Sequence, residues 1–254
     1  MSRRGERMYQ QELINPHLSI IAFSEIEPLI RKVEIFKHLP STVLSGVARR
    51  IQMIKYKKGQ RIILEETEAE GVFFVFSGSV KLTKQDEQGN EMIVCIKKKG
   101  EIFAEACLFN QVSTMYPATA VMLAEGELAF LNKRDLEEEL LRQPELAIQM
   151  IRYMSEGLQE LTSTLRDIAL LDVYTKTVKS LERLGLKFKS EGFVRYNIEI
   201  PLNVQEFATV VGVSRESVSR VFSKLKKDGF IDLRERKIVI LDWCLFCSLI
   251  KPGY

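Results

Sequence analysis

The sequence predicts an α+β fold of three successive parts, because the spacing of its apolar residues changes twice along the 254 positions. Between Ile51 and Leu131 short apolar runs are cut by turn residues, and glycine recurs every 11 positions at Gly78, Gly89 and Gly100. From Pro144 the apolar residues follow a helical period, and a pair of short helices with a β-hairpin comes last. The chain therefore combines an all-β segment, a long helix and a small mixed C-terminal part.

The all-β segment is expected to fold as an antiparallel β-roll of the jelly-roll, or double-stranded β-helix, type. Short strands at a spacing of about 8–12 residues, with turn signals between them, are typical of such folds. Asp86–Asn90 lies between two runs of β-forming residues and predicts a hairpin tip. Residues 1–24 lack a clear period, and we expect them to form a poorly ordered arm.

The long helix begins at Pro144-Glu145, since proline and an acidic residue are favoured in a first helical turn. Apolar residues follow in a narrow stripe that suits a partner helix better than a broad core, which predicts self-association. Packing of this helix against its own β-roll is the alternative. The predicted dimer seam consists of Met150, Met154, Leu158, Leu161, Leu165 and Ile168.

The net charge of +3 conceals an uneven distribution. Residues 174–254 carry 15 basic and 9 acidic side chains, a net charge of +6, whereas the remainder carries −3. A basic module joined to a mildly acidic one is expected where only one end of a protein meets a polyanion. Charge alone leaves open a chance excess of solvated lysines, so the order and spacing of the residues must decide.

The spacing in this basic part predicts a helix-turn-helix. Asn203 with Glu206 three residues later indicates a capping box, and the helix that follows is expected to end near Val211. Gly212 supplies the turn, and Ser214 is the N-cap of a second helix that ends near Asp228. A small residue, Ala208, is expected where the helices cross, and the predicted shared core is Val204, Phe207, Val211, Val213, Val218 and Val221.

The outward face of the second helix carries residue types that recognise DNA. Arginine pairs with a guanine edge and glutamate accepts a hydrogen bond from cytosine, and recognition helices use their N-terminal residues for this. The predicted base-contacting residues are Arg215, Glu216, Ser219 and Arg220. The predicted phosphate contacts are Ser214, Ser217, Ser223, Lys224, Lys226 and Lys227. Two apolar runs around the charged residues 234–237 predict a wing; a three-helix fragment with merely solvated charges is the alternative.

The composition excludes several classes of protein. With 46% hydrophobic and 28% charged residues the chain is globular, and no apolar run approaches the roughly 18 residues of a membrane span. No signal peptide is visible, so we expect a cytoplasmic protein without a membrane partner. Only His17 and His38 are present, and no nucleophile triad or phosphate-binding loop occurs, which argues against an enzyme and predicts neither catalytic residues nor a metal site.

Three motifs resemble those of the CRP/FNR family of bacterial transcription regulators. Gly100–Phe109 is similar to the effector-pocket segment, which usually has glycine where Ala104 stands. Ala169–Val173 resembles the hinge, and Val211–Arg220 resembles the recognition motif. Over roughly residues 35–241 the resemblance implies a homodimer that acts with RNA polymerase. It also implies an arm (1–24), a β-roll sensor domain (25–143), a dimerisation helix (144–172) and a winged helix-turn-helix domain (173–254).

The resemblance also suggests which DNA is bound. Arg215, Glu216 and Arg220 are arranged as in family members that recognise TGTGA half-sites, whereas Glu216 with Ser219-Arg220 resembles a branch that recognises TTGAT. Because the second branch usually lacks an arginine at Arg215, the sequence favours a TGTGA-N6-TCACA-like palindrome in double-stranded DNA.

We do not expect cyclic AMP to be the effector. Family members that bind it place an arginine about ten residues after the pocket glutamate, where this chain has Tyr116, and a phenol does not replace a cation at a phosphate. The adenine-contacting Thr-Ser pair aligns with Leu161-Thr162, so half of it is missing. The candidate pocket residues are Glu105, Ala106, Cys107, Tyr116, Thr119, Leu161 and Thr162. The cofactor remains unknown, and an unidentified small-molecule effector is compatible with the sequence.

The cysteines leave two alternatives open. Cys95, Cys107, Cys244 and Cys247 are too few and scattered for a disulfide framework, and we expect reduced thiols. An iron–sulfur site commonly needs four ligands, and His17 and His38 have no spacing that supports haem. A redox- or metal-responsive regulator that uses Cys107 or the Cys244/Cys247 pair is one alternative, although buried small apolar residues are the simpler interpretation. A sensor module of cyclic-nucleotide-binding type that does not bind DNA is the other.

Overall fold

The computed structural model describes residues 17–19, 23–107, 109, 115–189 and 195–250. Its packing divides the chain into two compact units. Among the described residues, the first unit contains those up to Lys84 together with Cys95–Gly157, and the second contains Gln85–Val94 together with those from Leu158 onward. None of the helices in these described ranges is long and apolar enough to cross a membrane.

Two β-sheets account for the strands of the first unit, although the hairpin segment Gln85–Val94 of one sheet belongs to the second unit. The five-stranded sheet has the order β1-β2-β9-β4-β7, and the four-stranded sheet has the order β3-β8-β5-β6. The strands are β1 His17–Ser19, β2 Gln52–Tyr56, β3 Arg61–Ile63, β4 Gly71–Val75, β5 Ser79–Gln85, β6 Glu91–Lys98, β7 Ile102–Phe103, β8 Thr119–Ala124 and β9 Gly126–Asn132. The strand pairs whose register is described are antiparallel, which confirms the predicted β-roll.

The regularly spaced glycines lie in turns, as predicted. Gly78, Gly89 and Gly100 have φ angles of 77°, 82° and 91°, a region that residues with a Cβ rarely adopt. The predicted hairpin tip is also confirmed, because the Asp86 carboxylate accepts hydrogen bonds from the backbone N–H groups of Gln88 and Asn90, each at 2.9 Å. These local features were readable because each depends on residues close in sequence.

Helices cover one face of this unit. They are α1 Phe23–Ile30, α2 Ser41–Ala48, α3 Lys133–Arg142 and the first half of α4 Pro144–Leu170. Their apolar sides share one core with the five-stranded sheet, as in the contact between the rings of Phe36 and Phe74, whose centroids are 5.1 Å apart. Neither α1 nor α2 was predicted from the sequence.

The expectation of a disordered arm over residues 1–24 is wrong for its last part. His17–Ser19 form β1, which pairs with β2 from His17 opposite Lys55 to Ser19 opposite Met53, and α1 begins at Phe23. The remaining residues of the predicted arm, 1–16 and 20–22, lie outside the described residues. A three-residue strand is too short to show a period. It is specified by its pairing partner, which lies more than 30 positions away in the sequence.

The long helix α4 has the predicted start and length, but its buried face differs from the predicted seam. It spans 27 residues from Pro144. Met150 is only 2% exposed and belongs to the core of the first unit, as does Leu146, whereas Ile151 is 63% exposed. Met150 is therefore wrongly assigned to the seam, because the early part of the stripe packs on the chain's own β-roll.

The second unit contains a three-stranded sheet and four further helices. The strands are ordered β10-β12-β11, with β10 Tyr196–Ile200, β11 Ile231–Arg234 and β12 Lys237–Asp242, and all pairs are antiparallel. The helices are α5 Val173–Phe188, α6 Val204–Val211, α7 Arg215–Lys227 and α8 Trp243–Cys247. This arrangement confirms the winged helix-turn-helix, and β10 is a third strand that the sequence did not reveal.

Candidate nucleic-acid interface

The first helix of the motif, α6, is fixed at both ends by local hydrogen bonds. The Asn203 side chain accepts from the Glu206 N–H at 3.0 Å, and the Glu206 carboxylate accepts from the Asn203 N–H at 3.1 Å, which completes the predicted capping box. At the other end Gly212 has a φ of 72°, and its N–H donates to the Ala208 carbonyl. The turn between α6 and α7 is therefore set by short-range interactions.

The two helices cross over a small residue, as predicted. Ala208 is fully buried, and the rings of Phe207 and Phe222 pack beside it with centroids 5.1 Å apart. The predicted core members Val204 and Val213 are only half-buried, whereas Phe222, which was not predicted, is buried. This core holds α7 rigidly against α6 and so sets the direction of its exposed side.

The N-terminal turns of α7 expose the candidate base-contacting residues. Arg215, Glu216 and Arg220 are exposed, and Ser219 is half-buried. Among the described residues neither Arg215 nor Glu216 forms an ion pair with a neighbour, so both charged groups are accessible to a ligand. Beneath them lies the opposite side of the helix, with Val218 fully buried.

A chain of hydrogen bonds connects the N-cap of α7 to one of these arginines. The Ser217 N–H donates to Ser214 Oγ at 3.2 Å, and the two hydroxyls are 3.0 Å apart. One guanidinium nitrogen of Arg220 lies 3.4 Å from Ser217 Oγ. The two candidate phosphate-contacting serines therefore already have partners within the helix.

The C-terminal turns of α7 carry cations that differ in their surroundings. Lys226 forms an ion pair with Asp232 of β11 at 2.8 Å, and the Lys224 ammonium lies 4.9 Å from the ring centre of Tyr174. Ser223 donates to the Ser219 carbonyl at 2.8 Å. Lys227 is exposed at the last turn. A phosphate contact by Lys226 thus requires exchange of an existing partner, whereas Lys227 needs no such exchange.

The wing ends in a tight turn that contains no glycine. Glu235 and Arg236 both have positive φ angles, 48° and 64°, between β11 and β12. At its base, Asp232 accepts from Lys226 and from Arg234, the latter at 3.0 Å. The hydrogen bond from Lys226, followed by that from Arg234, holds the pKa of the Asp232 carboxyl well below its usual range. The Asp232 carboxylate therefore ties the wing to the end of α7.

Two of the candidate effector-pocket residues have structural roles in the β-roll. Tyr116 is buried, and its hydroxyl accepts from the Glu70 and Gly71 N–H groups at 3.2 and 3.3 Å and donates to the Gly71 carbonyl at 3.2 Å. Thr119 Oγ1 accepts from the Glu65 N–H at 3.0 Å. Both side chains hold neighbouring backbone segments of the roll together.

The other candidate pocket residues are dispersed. Glu105 and Ala106 lie on a short 3-10 turn that follows Ala104, whose φ is 69°, and the side chain of Cys107 lies outside the described residues. Leu161 and Thr162 are exposed on the second half of α4, and Thr162 Oγ1 donates to the Leu158 carbonyl at 2.7 Å. The seven candidates do not form one site within either unit, as far as the structure describes them: five lie in the first unit, and Leu161 and Thr162 lie in the second.

The C-terminal cysteines are not both buried, contrary to the simpler interpretation of the sequence. On α8, Cys244 is exposed and Cys247 is half-buried, since Trp243 and Phe246 occupy the buried positions of this short helix. No group of three or more histidine, cysteine, aspartate or glutamate side chains suited to a metal ion occurs in the described part of the chain.

Comparison with known proteins gives matches over both units. Residues 53–143 match the model of the cyclic nucleotide-binding domain, and residues 170–247 match that of the Crp-like helix-turn-helix domain. Together these two matches span about two thirds of the chain.

Curated relatives and solved structures agree with these matches. The CRP-like cAMP-activated global transcriptional regulator of Mycobacterium tuberculosis is 21% identical over 85% of this chain and 96% of its own length. The anaerobic regulatory protein of Bacillus subtilis is 29% identical over 74% of this chain and 78% of its own. The c-di-GMP responsive global regulator CLP of Xanthomonas campestris has the same fold, with a TM-score of 0.68 at 22% identity over 80% of this chain and 99% of that one.

These relatives are transcription regulators rather than enzymes. The fold, the capped helix-turn-helix and both family models lead to the same conclusion: the chain belongs to the CRP/FNR family of bacterial DNA-binding transcription regulators.

Proposed function

We propose that this protein is a homodimeric regulator that recognises a TGTGA-N6-TCACA-like palindrome, with one recognition helix in each half-site. The observation that carries the proposal is the exposure of Arg215, Glu216 and Arg220 on the first two turns of α7. In the major groove an arginine pairs with O6 and N7 of guanine, and a glutamate accepts from N4 of cytosine. These three side chains match the G·C pairs of a TGTGA half-site.

The dimer is supported by a corrected seam on α4. Six of the exposed large apolar residues of α4 follow steps of three and four along the helix: Ile151, Met154, Leu158, Leu161, Leu165 and Ile168. Leu158 and Leu165 are each 65% exposed, and two such residues per heptad are the pattern of a coiled-coil seam. The flanking positions Ser155, Gly157, Thr162 and Thr164 carry no charge, so apolar packing rather than ion pairs would select the partner.

A second copy of the chain is therefore the occupant that we propose for this seam. A two-fold axis along paired α4 helices would repeat the recognition helix symmetrically, which requires half-sites about one helical turn apart. Bound at a promoter in this way, the regulator would act on RNA polymerase.

We further propose that the effector is not cyclic AMP. In the resemblance to cyclic-AMP-binding family members, the phosphate-pairing arginine corresponds to Tyr116 or its neighbourhood. The Tyr116 hydroxyl is already bonded to the backbone of Glu70 and Gly71 and offers no positive charge. An effector of other chemistry, or none, fits this residue better.

The test is equilibrium binding of fluorescent duplexes by anisotropy, with oligomeric state measured in parallel by sedimentation. We expect tight binding to the palindrome, weaker binding when one half-site is scrambled, and loss of specific binding when the spacer is lengthened by about five base pairs, half a helical turn. Equal affinity for all three duplexes, or a monomer at the concentrations that bind DNA, would refute the proposal. Addition of cyclic AMP is expected to leave the affinities unchanged.

A further inference from the structure

One hydroxyl group on the long helix satisfies both backbone groups of a residue in the β-roll. Tyr153 Oη accepts a hydrogen bond from the Ile102 N–H at 3.0 Å and donates to the Ile102 carbonyl at 3.0 Å. The same oxygen accepts from the Lys97 ammonium at 3.1 Å. Neither Lys97 nor Tyr153 was singled out by the sequence motifs.

The position of Ile102 explains why this contact matters. Ile102 lies in β7, a strand of two residues at the edge of the five-stranded sheet, where it pairs with Phe74 of β4. The N–H and C=O of one residue in an antiparallel strand point to the same side, and at a sheet edge that side lacks a partner strand. The Tyr153 hydroxyl takes the place of the missing strand, so β7 is held between β4 and α4.

Burial of the phenol and the interactions of Lys97 keep both groups in the forms that make these bonds. Burial lowers the pKa of Lys97, but its interactions with Tyr153, Glu105 and Cys95 outweigh burial and raise that pKa, so the side chain stays an ammonium donor. Burial raises the pKa of Tyr153 against the opposing effect of Lys97, so the phenol keeps the proton that it donates to Ile102. At neutral pH these directions favour a charged Lys97 and a neutral Tyr153.

Both ends of the contact lead to functional segments. Ile102 and Phe103 form β7, which is followed by Ala104, with its positive φ, and by the turn that contains Glu105. On the helix, Tyr153 lies between Ile151 and Met154, the first two residues of the proposed seam. A displacement of β7 therefore requires either a displacement of the helix at the seam or the loss of the two hydrogen bonds between Tyr153 and Ile102.

We propose that the Tyr153 hydroxyl is the contact through which the arrangement of Ile102–Cys107 controls the dimer seam of α4. The inference deepens the proposed function, since it depends on α4 as the dimerisation helix. Tyr153 acts as a positioning residue, through its bonds to Ile102, and not by contact with DNA or with the partner chain. A ligand or chemical change that withdraws β7 deprives the buried Tyr153 hydroxyl of its two bonds to Ile102, and this penalty provides the energetic coupling between the two segments.

The chain contains a matched control for this role. Tyr116 is a second buried phenol whose hydroxyl accepts from the Gly71 N–H and donates to the Gly71 carbonyl. Its removal by Tyr116→Phe deletes the same chemical group and the same kind of backbone bonds as Tyr153→Phe. The bonds of Tyr116 to Glu70 and Gly71 connect parts of the roll and do not involve α4.

The experiment is amide hydrogen exchange of the full chain, read by mass spectrometry, for Tyr153→Phe and Tyr116→Phe. For Tyr153→Phe we expect the amide exchange rate to rise both in residues 100–107 and in residues 148–162. The expected rise is about fivefold or more, which is the size of a typical allosteric coupling. For Tyr116→Phe we expect a rise near Gly71 without a change in residues 148–162. A rise confined to residues 100–107 in Tyr153→Phe, or an equal rise in α4 for both variants, would overturn the proposal.

A second variant, Lys97→Met, tests the same contact in case Tyr153→Phe does not fold. Lys97→Met keeps the long apolar stem and removes only the ammonium donor, and it is expected to raise exchange in the same two segments by a smaller factor. In addition, the palindrome affinity should fall about fivefold in Tyr153→Phe and less than about twofold in Tyr116→Phe. If the unmodified protein shows no preference for the palindrome, the proposed function fails, whereas the exchange pattern still decides the coupling.

Discussion

At the scale of single residues, the partners that a side chain already has decide which role is open to it. Lys226 and Lys227 are neighbours of the same type and both are exposed, yet among the described residues Lys226 forms an ion pair with Asp232 and Lys227 forms none. Tyr116 corresponds approximately to the phosphate-binding arginine of family members that bind cyclic AMP. Its hydroxyl is hydrogen-bonded to the backbone of the roll. Such differences are not visible in the sequence, because they depend on how a helix or strand packs against its neighbours in the folded chain.

Arg220 is expected to determine specificity at one base pair. Because a bidentate arginine–guanine pair is sensitive to the base, Arg220→Ala should cost about 1–3 kcal/mol at the palindrome and remove the preference for guanine at that position. The measurement is anisotropy with duplexes that carry each base in turn. Lys227→Ala is the control: we expect it to weaken binding to palindromic and random duplexes equally and to reduce the salt slope by about 1. Equal weakening on both duplexes by Arg220→Ala would contradict the assignment.

Ala104 is expected to be strained by its own Cβ. It has a φ of 69° at the position where the family usually has glycine, and the left-handed region costs an L-residue about 1–2 kcal/mol. Replacement of Ala104 by glycine removes this cost, but the greater entropy of glycine in the unfolded chain offsets part of the gain in stability. Ala104→Gly should therefore raise the free energy of unfolding by about 0.5–1 kcal/mol. Ala106→Gly, at a negative φ two residues away, should lower it by a similar amount. Chemical denaturation measures both, and the same sign for the two variants would be inconsistent with strain at Ala104.

At the scale of elements, the apolar stripe of the long helix is buried in its first part and exposed in its later part. Leu146 and Met150 face the roll, and the residues from Ile151 onward are exposed. The sequence predicts the start, the length and the later part of the seam, because these follow from caps and periodicity. It does not reveal where the stripe passes from the roll to the seam, because the roll's surface is assembled from strands distant in sequence.

A charge in the seam is expected to separate the two chains without unfolding either. Leu158 is 65% exposed, so Leu158→Lys leaves the core of the single chain intact but would bury an unpaired ammonium in the dimer. We expect the sedimentation coefficient to fall to that of a monomer, while far-ultraviolet circular dichroism stays unchanged. Leu141→Lys, at a leucine that is 86% exposed on α3 and outside the seam, should leave the dimer intact. Dissociation by both variants would argue against the seam.

At the scale of the whole molecule, the features that were predictable are those set by neighbours in sequence. The roll, the long helix, the capping box and the Gly212 turn follow from periodicity, caps and glycines. Strand β10 and the pairing of β1 with β2 were not predictable, since short strands are specified by distant partners. For the candidate site the recognition helix was predictable as an exposed face, whereas the Tyr153–Lys97 contact required the packed structure.

Several carboxylates connect the stability of the second unit to pH. Hydrogen bonds from Lys226 and Arg234 lower the pKa of Asp232, and those from Thr175 at the start of α5 lower the pKa of Asp172. A carboxyl whose folded pKa is depressed stabilises the native state above its unfolded pKa, near 3.8 here, and loses that contribution as pH falls through the lower folded value. We therefore expect the free energy of unfolding to be level above about pH 5 and to decrease below it.

Asp232→Asn provides the test of this pH dependence at the junction of wing and recognition helix. The variant lacks the ionisable group, so it should be less stable than the unmodified protein at pH 7, and the difference should shrink as pH falls below 4. Denaturant titrations at pH 7, 5, 4 and 3 measure it, with Asp228→Asn, an exposed carboxylate at the end of α7, as the control. If the difference in the free energy of unfolding stays constant down to pH 3, the variant is less stable for steric reasons and not because it lacks the charge. Because Asp232 also holds Lys226, the variant should release that lysine and strengthen binding to random DNA, which links the acid stability of the wing to the strength of its phosphate contacts.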